Sequence, residues 1–200
     1  MLGAFLLTNT LIEELGIHYP ESLILILTAM MVLVFYEGPE WGNLYFGPGK
    51  LKDYLRLAQI MAVLFACLFG ILVYLQYNHA DNPVPLMWPI DTLIIIGVGF
   101  ACYVAIMEEI IFRSFLLQRA TEIGGDWAGI VSQGVFYGAM SFVLPVTNGL
   151  PGFLLGSVYG IALGYLVKKS DSIYLSIFVH FLVSLIIFIE LSILGRLEGL

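Results

Sequence analysis

The chain has 200 residues, of which 60% are hydrophobic and only 12% charged, and its mean hydropathy is +0.96. Soluble domains average ~45–50% apolar and ~25% charged residues, so a water-surrounded globule is excluded and the apolar surplus must face a lipid bilayer. The net charge of −7 comes mostly from acidic loops and ends such as Glu13, Glu14, Glu21, Glu37 and Glu40; no basic surface is left for nucleic acid, which is excluded as a partner.

A membrane-spanning helix needs roughly 17–25 mostly apolar residues, and six runs approach that length. They are preceded by Leu2–Gly16, which reads as an interfacial helix or loosely ordered lead-in. Met1–Thr8 lacks the positive n-region and cleavage site of a signal peptide. The first run is Tyr19–Tyr36, closed by Glu37-Gly38-Pro39. The second is Leu55–Tyr77, ended by the proline-rich stretch from Asn78 to Pro89. The third runs from Thr92 to Gln118 and the fourth from Trp127 to Val143, stopped by Pro145. The fifth is Pro151–Val167, where proline suits a first helical turn and Lys168-Lys169 close the run. The sixth is Ile173–Leu194, closed by Gly195. The expected fold is all-α, a polytopic bundle, with about two spans in residues 1–90 and four in 91–200.

Lys50, Lys52 and Arg56 follow the first run, Arg119 the third, and Lys168 and Lys169 the fifth, whereas the connections after the second and fourth carry no Lys or Arg. By the positive-inside rule the three basic connections face the cytoplasm and both termini lie outside, with Arg196 as the mild dissent. Cys67 and Cys102 fall within apolar runs and read as buried thiols, not a disulfide. Gly156, Gly160 and Gly164, four apart, form a small-residue stripe that lets a neighbouring helix approach closely.

The informative residues are Glu108, Glu109 and Arg113 in the third run. An ionisable group at bilayer depth costs at least ~2.5–3.5 kcal/mol, so three within six positions must be paired, hydrated or functional. Glu109 and Arg113 are four apart and share a helix face. Glu108, turned by about 100°, has no cation in register on its own helix. His180 lies roughly 10 Å from the Lys168–Ser172 turn and Glu109 roughly 15 Å from Arg119, at 1.5 Å per residue. The matched depths point to one shared, cytoplasm-facing cavity, with Ser184 one turn beyond His180. A neutralising Glu109–Arg113 clamp and a helix-bridging histidine are the bland alternatives. Gln133, Tyr137 and Ser141 could line such a cavity or join helices. Glu190 reads as snorkelling or paired, and His18 and His79 as solvated.

Met107-Glu108-Glu109-Ile110-Ile111-Phe112-Arg113 resembles the EExxxR motif of the CAAX protease and bacteriocin-processing family, also called Abi or type II CAAX prenyl endopeptidase-like. The resemblance continues in order over Thr92–Leu194: Phe136 falls at the start of the family's FxxxH, Gly156–Lys168 is similar to its next helix, and His180–Ser184 falls at its HxxxN. It implies that Glu108 is the base activating water, that Glu109 and Arg113 hold charge and geometry, and that His180 binds the oxyanion. Phe136, Tyr137, Met140 and Ser184 would then support or bind substrate. Two positions depart from the pattern. Met140 stands at the second-motif histidine and cannot serve as base or donor; Ser184 stands at the asparagine and keeps a hydroxyl. The substrate implied is a peptide or membrane-protein tail, cut near the cytoplasmic face. No cofactor is called for; a zinc site is disfavoured by a donor set of His180 and two carboxylates, one tied to Arg113, while a divalent metal stays an open alternative. Competing readings are a catalytically weakened relative acting as a membrane binding or immunity-type protein, favoured by Met140, and a small transporter using the Glu and His groups as a relay.

Overall fold

A computed structural model describes residues 21–36, 45–77, 89–144 and 146–197; the expected interfacial segment Leu2–Gly16, His18 and His79 lie outside these residues. Among the described residues the order is α1 (Glu21–Tyr36), α2 (Leu51–Tyr77), α3 (Ile90–Glu109), a π-helical turn (Ile110–Leu116), α4 (Leu117–Val143), α5 (Gly149–Ser170) and α6 (Tyr174–Leu197). An all-helical chain is what a bilayer dictates, because a helix satisfies its backbone polar groups within itself. Four stretches are long and apolar enough to cross a membrane, namely Leu51–Tyr77, Ile90–Val143, Gly149–Ser170 and Tyr174–Leu194, and Leu23–Tyr36 is a shorter apolar helix. The protein is a multi-pass integral membrane protein.

The stretch Ile90–Val143 counts 54 residues, about 80 Å if straight at 1.5 Å per residue, far beyond the ~30 Å hydrocarbon core. It does not stay straight. Gly125 has φ 81° and ψ 176°, outside the helical region. A Cβ added to Gly129 would meet the carbonyl oxygen of Leu117 at 2.9 Å and the nitrogen of Thr121 at 3.1 Å. In a straight helix Leu117 would be about 18 Å away, so the chain doubles back at Gly125 and the stretch makes two passes. The expected connection after Gln118 is therefore mostly helix, with a sharp turn at its end.

The basic connections meet at one end of the bundle. Lys168 Nζ lies 2.7 Å from Asp126 Oδ1 and 5.5 Å from the ring centre of Tyr45. The Lys50 N–H donates to the Ser170 carbonyl at 2.6 Å and the Ile173 N–H to the Tyr45 carbonyl at 3.0 Å. At the opposite end Gln76 donates to the Asn148 carbonyl at 2.7 Å. α1 is tied to α3 by the Thr28 and Tyr103 hydroxyls, 2.5 Å apart.

α4 and α5 pack along a seam of glycines. A Cβ on Gly160 would stand 2.8 Å from the Gly134 Cα, and one on Gly156 3.2 Å from the Gly138 Cα. The small-residue stripe is thus a packing face. Gln133 crosses the seam to donate to the Gly160 carbonyl at 2.7 Å. Three sequence expectations change. Cys67 and Cys102 are exposed on the outer faces of α2 and α3, because an apolar thiol is as much at home against lipid as in a core. α2 begins at Leu51, not Leu55, and α6 runs through Gly195 to Leu197, since a lone glycine weakens a helix without ending it.

Candidate active site

Glu108 and Glu109 close α3, and Arg113 lies in the π turn. The Leu117 N–H donates to the Phe112 carbonyl, five residues back. This is the π signature, an inserted residue that re-aims the side chains around it and recurs at functional sites. The turn brings both carboxylates and the guanidinium into the bundle, where Glu108 is 2% exposed and Glu109 and Arg113 are fully buried.

His180, on α6, sits between the two carboxylates. Its Nδ1 is 2.8 Å from Glu109 Oε1 and its Nε2 is 3.3 Å from Glu108 Oε2. Arg113 Nη1 approaches the same Glu109 oxygen at 3.1 Å, and its guanidinium carbon stands 4.8 Å from the Tyr137 ring centre. The Tyr137 hydroxyl is 3.4 Å from His180 Nε2 and within reach of Glu108. Two carboxylates face one guanidinium, and the His180 imidazole stands between them. Glu109 is the anchored carboxylate; Glu108, farther from Arg113, is the one left beside open space. Among the described residues no group of three or more His, Cys, Asp or Glu side chains is arranged to hold a metal ion.

That space is a cavity of about 60 Å³ walled by Glu108, His180, Tyr137, Tyr159, Ser141 and Ser184. One water needs ~10–15 Å³ of such room and two to four polar partners, so the cavity can hold water. Its walls run from Glu108 back along α3 to Phe100, from His180 forward to Ile187, and from Tyr137 to Leu144, Val146 and Thr147, with Leu23 of α1 closing it. All of these lead away from the basic end. Toward the basic end Leu117, Ile130, Val167 and Ile173 are buried together in a separate apolar cluster. A cavity lies beside Glu108 and His180, and its walls extend away from the basic end, because depth counted along helices says nothing about which side of a polar group is packed.

Of the residues singled out in the sequence, Glu108, Glu109, Arg113 and His180 come together, and Tyr137, Ser141 and Ser184 reach the cavity wall. Phe136 and Met140 do not. Phe136 is 37% exposed on the outer side of α4, and Met140 is 2% exposed within the apolar core. The face of α4 that meets the cavity is Tyr137 and Ser141, one position on from the motif pair. Gln133 proves to be helix-joining, and Glu190 faces Gly70 of α2, far from the cluster. Tyr159, which sequence reasoning missed, is 1% exposed with its ring edge-on to His180, 5.7 Å between centroids. The available signal was slight: Tyr159 is one of two tyrosines on α5, with Tyr165, and stands beside Gly160 of the small-residue stripe. A larger groove of about 460 Å³ between α3 and α6, past Gly97 and Phe188, carries no ionisable side chain.

No match to the chain was found among curated proteins or among solved structures. Residues 90–186 match the family model described as Type II CAAX prenyl endopeptidase Rce1-like. That segment holds α3, the π turn, α4, α5 and most of α6, hence every member of the buried charge cluster. This four-helix core, residues 90–186, belongs to the Rce1-like family of type II CAAX prenyl endopeptidases.

Proposed function

We propose that the protein is a glutamate-dependent intramembrane endopeptidase that hydrolyses a peptide bond in a peptide or membrane-protein tail. The observation that carries this reading is Glu108 and His180 within 3.3 Å of each other on the wall of a water-sized cavity. Peptide hydrolysis needs a base within hydrogen-bond reach of a water and a donor aimed at the developing oxyanion. Glu108 takes the proton of the water, His180 orients Glu108 and stabilises negative charge, and Glu109 with Arg113 keeps the imidazole in place. Exclusion of lipid and bulk water strengthens each of these interactions.

Orientation follows from charge. Lys50, Lys52, Arg56, Arg119, Lys168 and Lys169 all belong to the basic end, so the positive-inside rule sets that end in the cytoplasm and both termini outside. The cavity then fills from the non-cytoplasmic half of the bilayer, not from the cytoplasmic face. A second reading, a relative that holds a peptide without cutting it, is favoured by Met140 in place of a histidine. Cleavage of a membrane-peptide library in detergent separates the two. Hydrolysis that disappears in Glu108→Gln supports the peptidase; peptide binding without hydrolysis in wild type supports the second reading.

A further inference from the structure

Met140 leaves this chain without the histidine that its motif position calls for, and its side chain lies off the cavity wall. The polar groups that do face the cavity from α4 and α5 are the Ser141 hydroxyl and two phenols, Tyr137 and Tyr159. Tyr137 is already engaged, with its hydroxyl 3.4 Å from His180 Nε2 and within reach of Glu108. Tyr159 is different. Its hydroxyl is buried and has no hydrogen-bond partner among the described residues, although its ring is on the same wall as Glu108 and His180.

A buried phenol without an acceptor is unfavourable unless the cavity's contents supply one. Its ring is held rigidly, edge-on between Phe65 at 4.9 Å and Phe69 at 5.3 Å, with Tyr137 at 5.6 Å and His180 at 5.7 Å between centroids. A donor fixed in place beforehand, in a dry site, is what stabilisation of a developing oxyanion requires.

We infer that Tyr159 is a catalytic residue of this protein, an oxyanion donor supplied from α5 in place of the absent histidine on α4. The inference rests on the peptidase reading. The water oxygen bonds to the scissile carbonyl carbon while Glu108 accepts one water proton. The carbonyl π electrons move to the oxygen, which accepts a hydrogen bond from the Tyr159 hydroxyl. The C–N bond then breaks, the carbonyl re-forms, and Glu108 returns its proton to the leaving amine. Tyr159 keeps its own proton throughout.

The test uses the full-length protein in detergent, with Tyr159→Phe, Tyr137→Phe and Glu108→Gln, a cleaved peptide, and its phosphinate analogue as an anionic tetrahedral mimic. Tyr159→Phe should lower kcat by about 10²–10³-fold, leave KM within twofold, leave the thermal midpoint unchanged because the hydroxyl has no protein partner, and weaken the phosphinate far more than the parent peptide. Wild-type kcat in Tyr159→Phe alongside an inactive Glu108→Gln overturns the role of Tyr159 and leaves the peptidase reading standing. Full cleavage by Glu108→Gln overturns the peptidase reading itself. If the wild type cuts nothing, the phosphinate decides: equal losses for phosphinate and peptide in Tyr159→Phe overturn the oxyanion role, and a selective loss supports it.

Discussion

His180 holds Glu109 through Nδ1, at 2.8 Å, and so leaves Nε2 turned to Glu108 and the cavity. Glu109 holds the Nδ1 side of the ring, so Nε2 is the nitrogen that serves Glu108 and the cavity, and the second carboxylate fixes which nitrogen works. Asparagine at 180 can imitate the Nδ1 donor but offers nothing at Nε2. His180→Asn should therefore keep more thermal stability than His180→Ala, which leaves Glu109 short of a donor at a cost of about 1–3 kcal/mol. Both should lose cleavage. Equal melting of the two variants in detergent would contradict the assigned roles of the ring nitrogens.

Arg113 is fully buried against Glu109. Removing one partner of such a pair strands the other and costs about 3–5 kcal/mol, while removing both is far milder. Arg113→Met should thus be severely destabilising, and Arg113→Met with Glu109→Gln should regain much of the loss. A double-mutant cycle on urea or thermal unfolding measures the coupling, and additivity would show that the pair contributes no mutual stabilisation.

The glycine seam predicts two unlike results for one substitution. Gly160→Ala pushes a methyl group against the Gly134 backbone and the Tyr137 Cβ, so α4 and α5 must separate, at about 1–3 kcal/mol, with cleavage lowered through Tyr137. Gly99→Ala meets nothing within 4 Å and should be neutral or stabilising by up to ~1 kcal/mol, from helix propensity alone. Comparable loss of thermal midpoint in both variants would contradict the packing described.

Restoring the motif histidine should not help. Met140 is in the apolar core, where a new imidazole lacks partners and costs about 1–3 kcal/mol. Met140→His is expected to melt earlier and to cleave no faster than wild type. A rise in kcat would mean that α4 turns its motif face to the cavity in the working protein.

Orientation can be read by labelling. With the lipid-facing Cys67 and Cys102 replaced, Asn148→Cys should react with a membrane-impermeant maleimide from outside intact cells, and Lys169→Cys only after the inner face is opened. Ser184→Cys on the cavity wall should follow Asn148→Cys, and bound peptide should slow it. Lys169→Cys labelled from outside would reverse the proposed orientation.

Much of this was legible in the sequence because the bilayer imposes length and hydropathy on each pass. Among the described residues, the six helices, the ends of three of them at Tyr36, Tyr77 and Val143, and the common depth of Glu108 and His180 all follow from counting residues. What counting could not supply is rotation about each axis. α4 reads as Phe136 and Met140 facing inward by motif spacing, yet the π turn and the reversal at Gly125 present Tyr137 and Ser141 instead. The polar residues Gln133, Tyr137 and Ser141, four apart on α4, were the signal of that offset, but they could equally have joined helices. Tyr159 was hidden for a related reason, since a tyrosine among glycines reads as packing until its neighbours are known.

The apolar cluster of Leu117, Ile130, Val167 and Ile173 has a consequence beyond catalysis. A membrane protein that admits water to a carboxylate and an imidazole risks becoming a leak for protons, and a cell cannot tolerate many copies of such a leak. With four aliphatic side chains packed toward one side, water can enter and depart by the same door. A cavity closed on one side is compatible with a bilayer that holds its ion gradients in the presence of the protein.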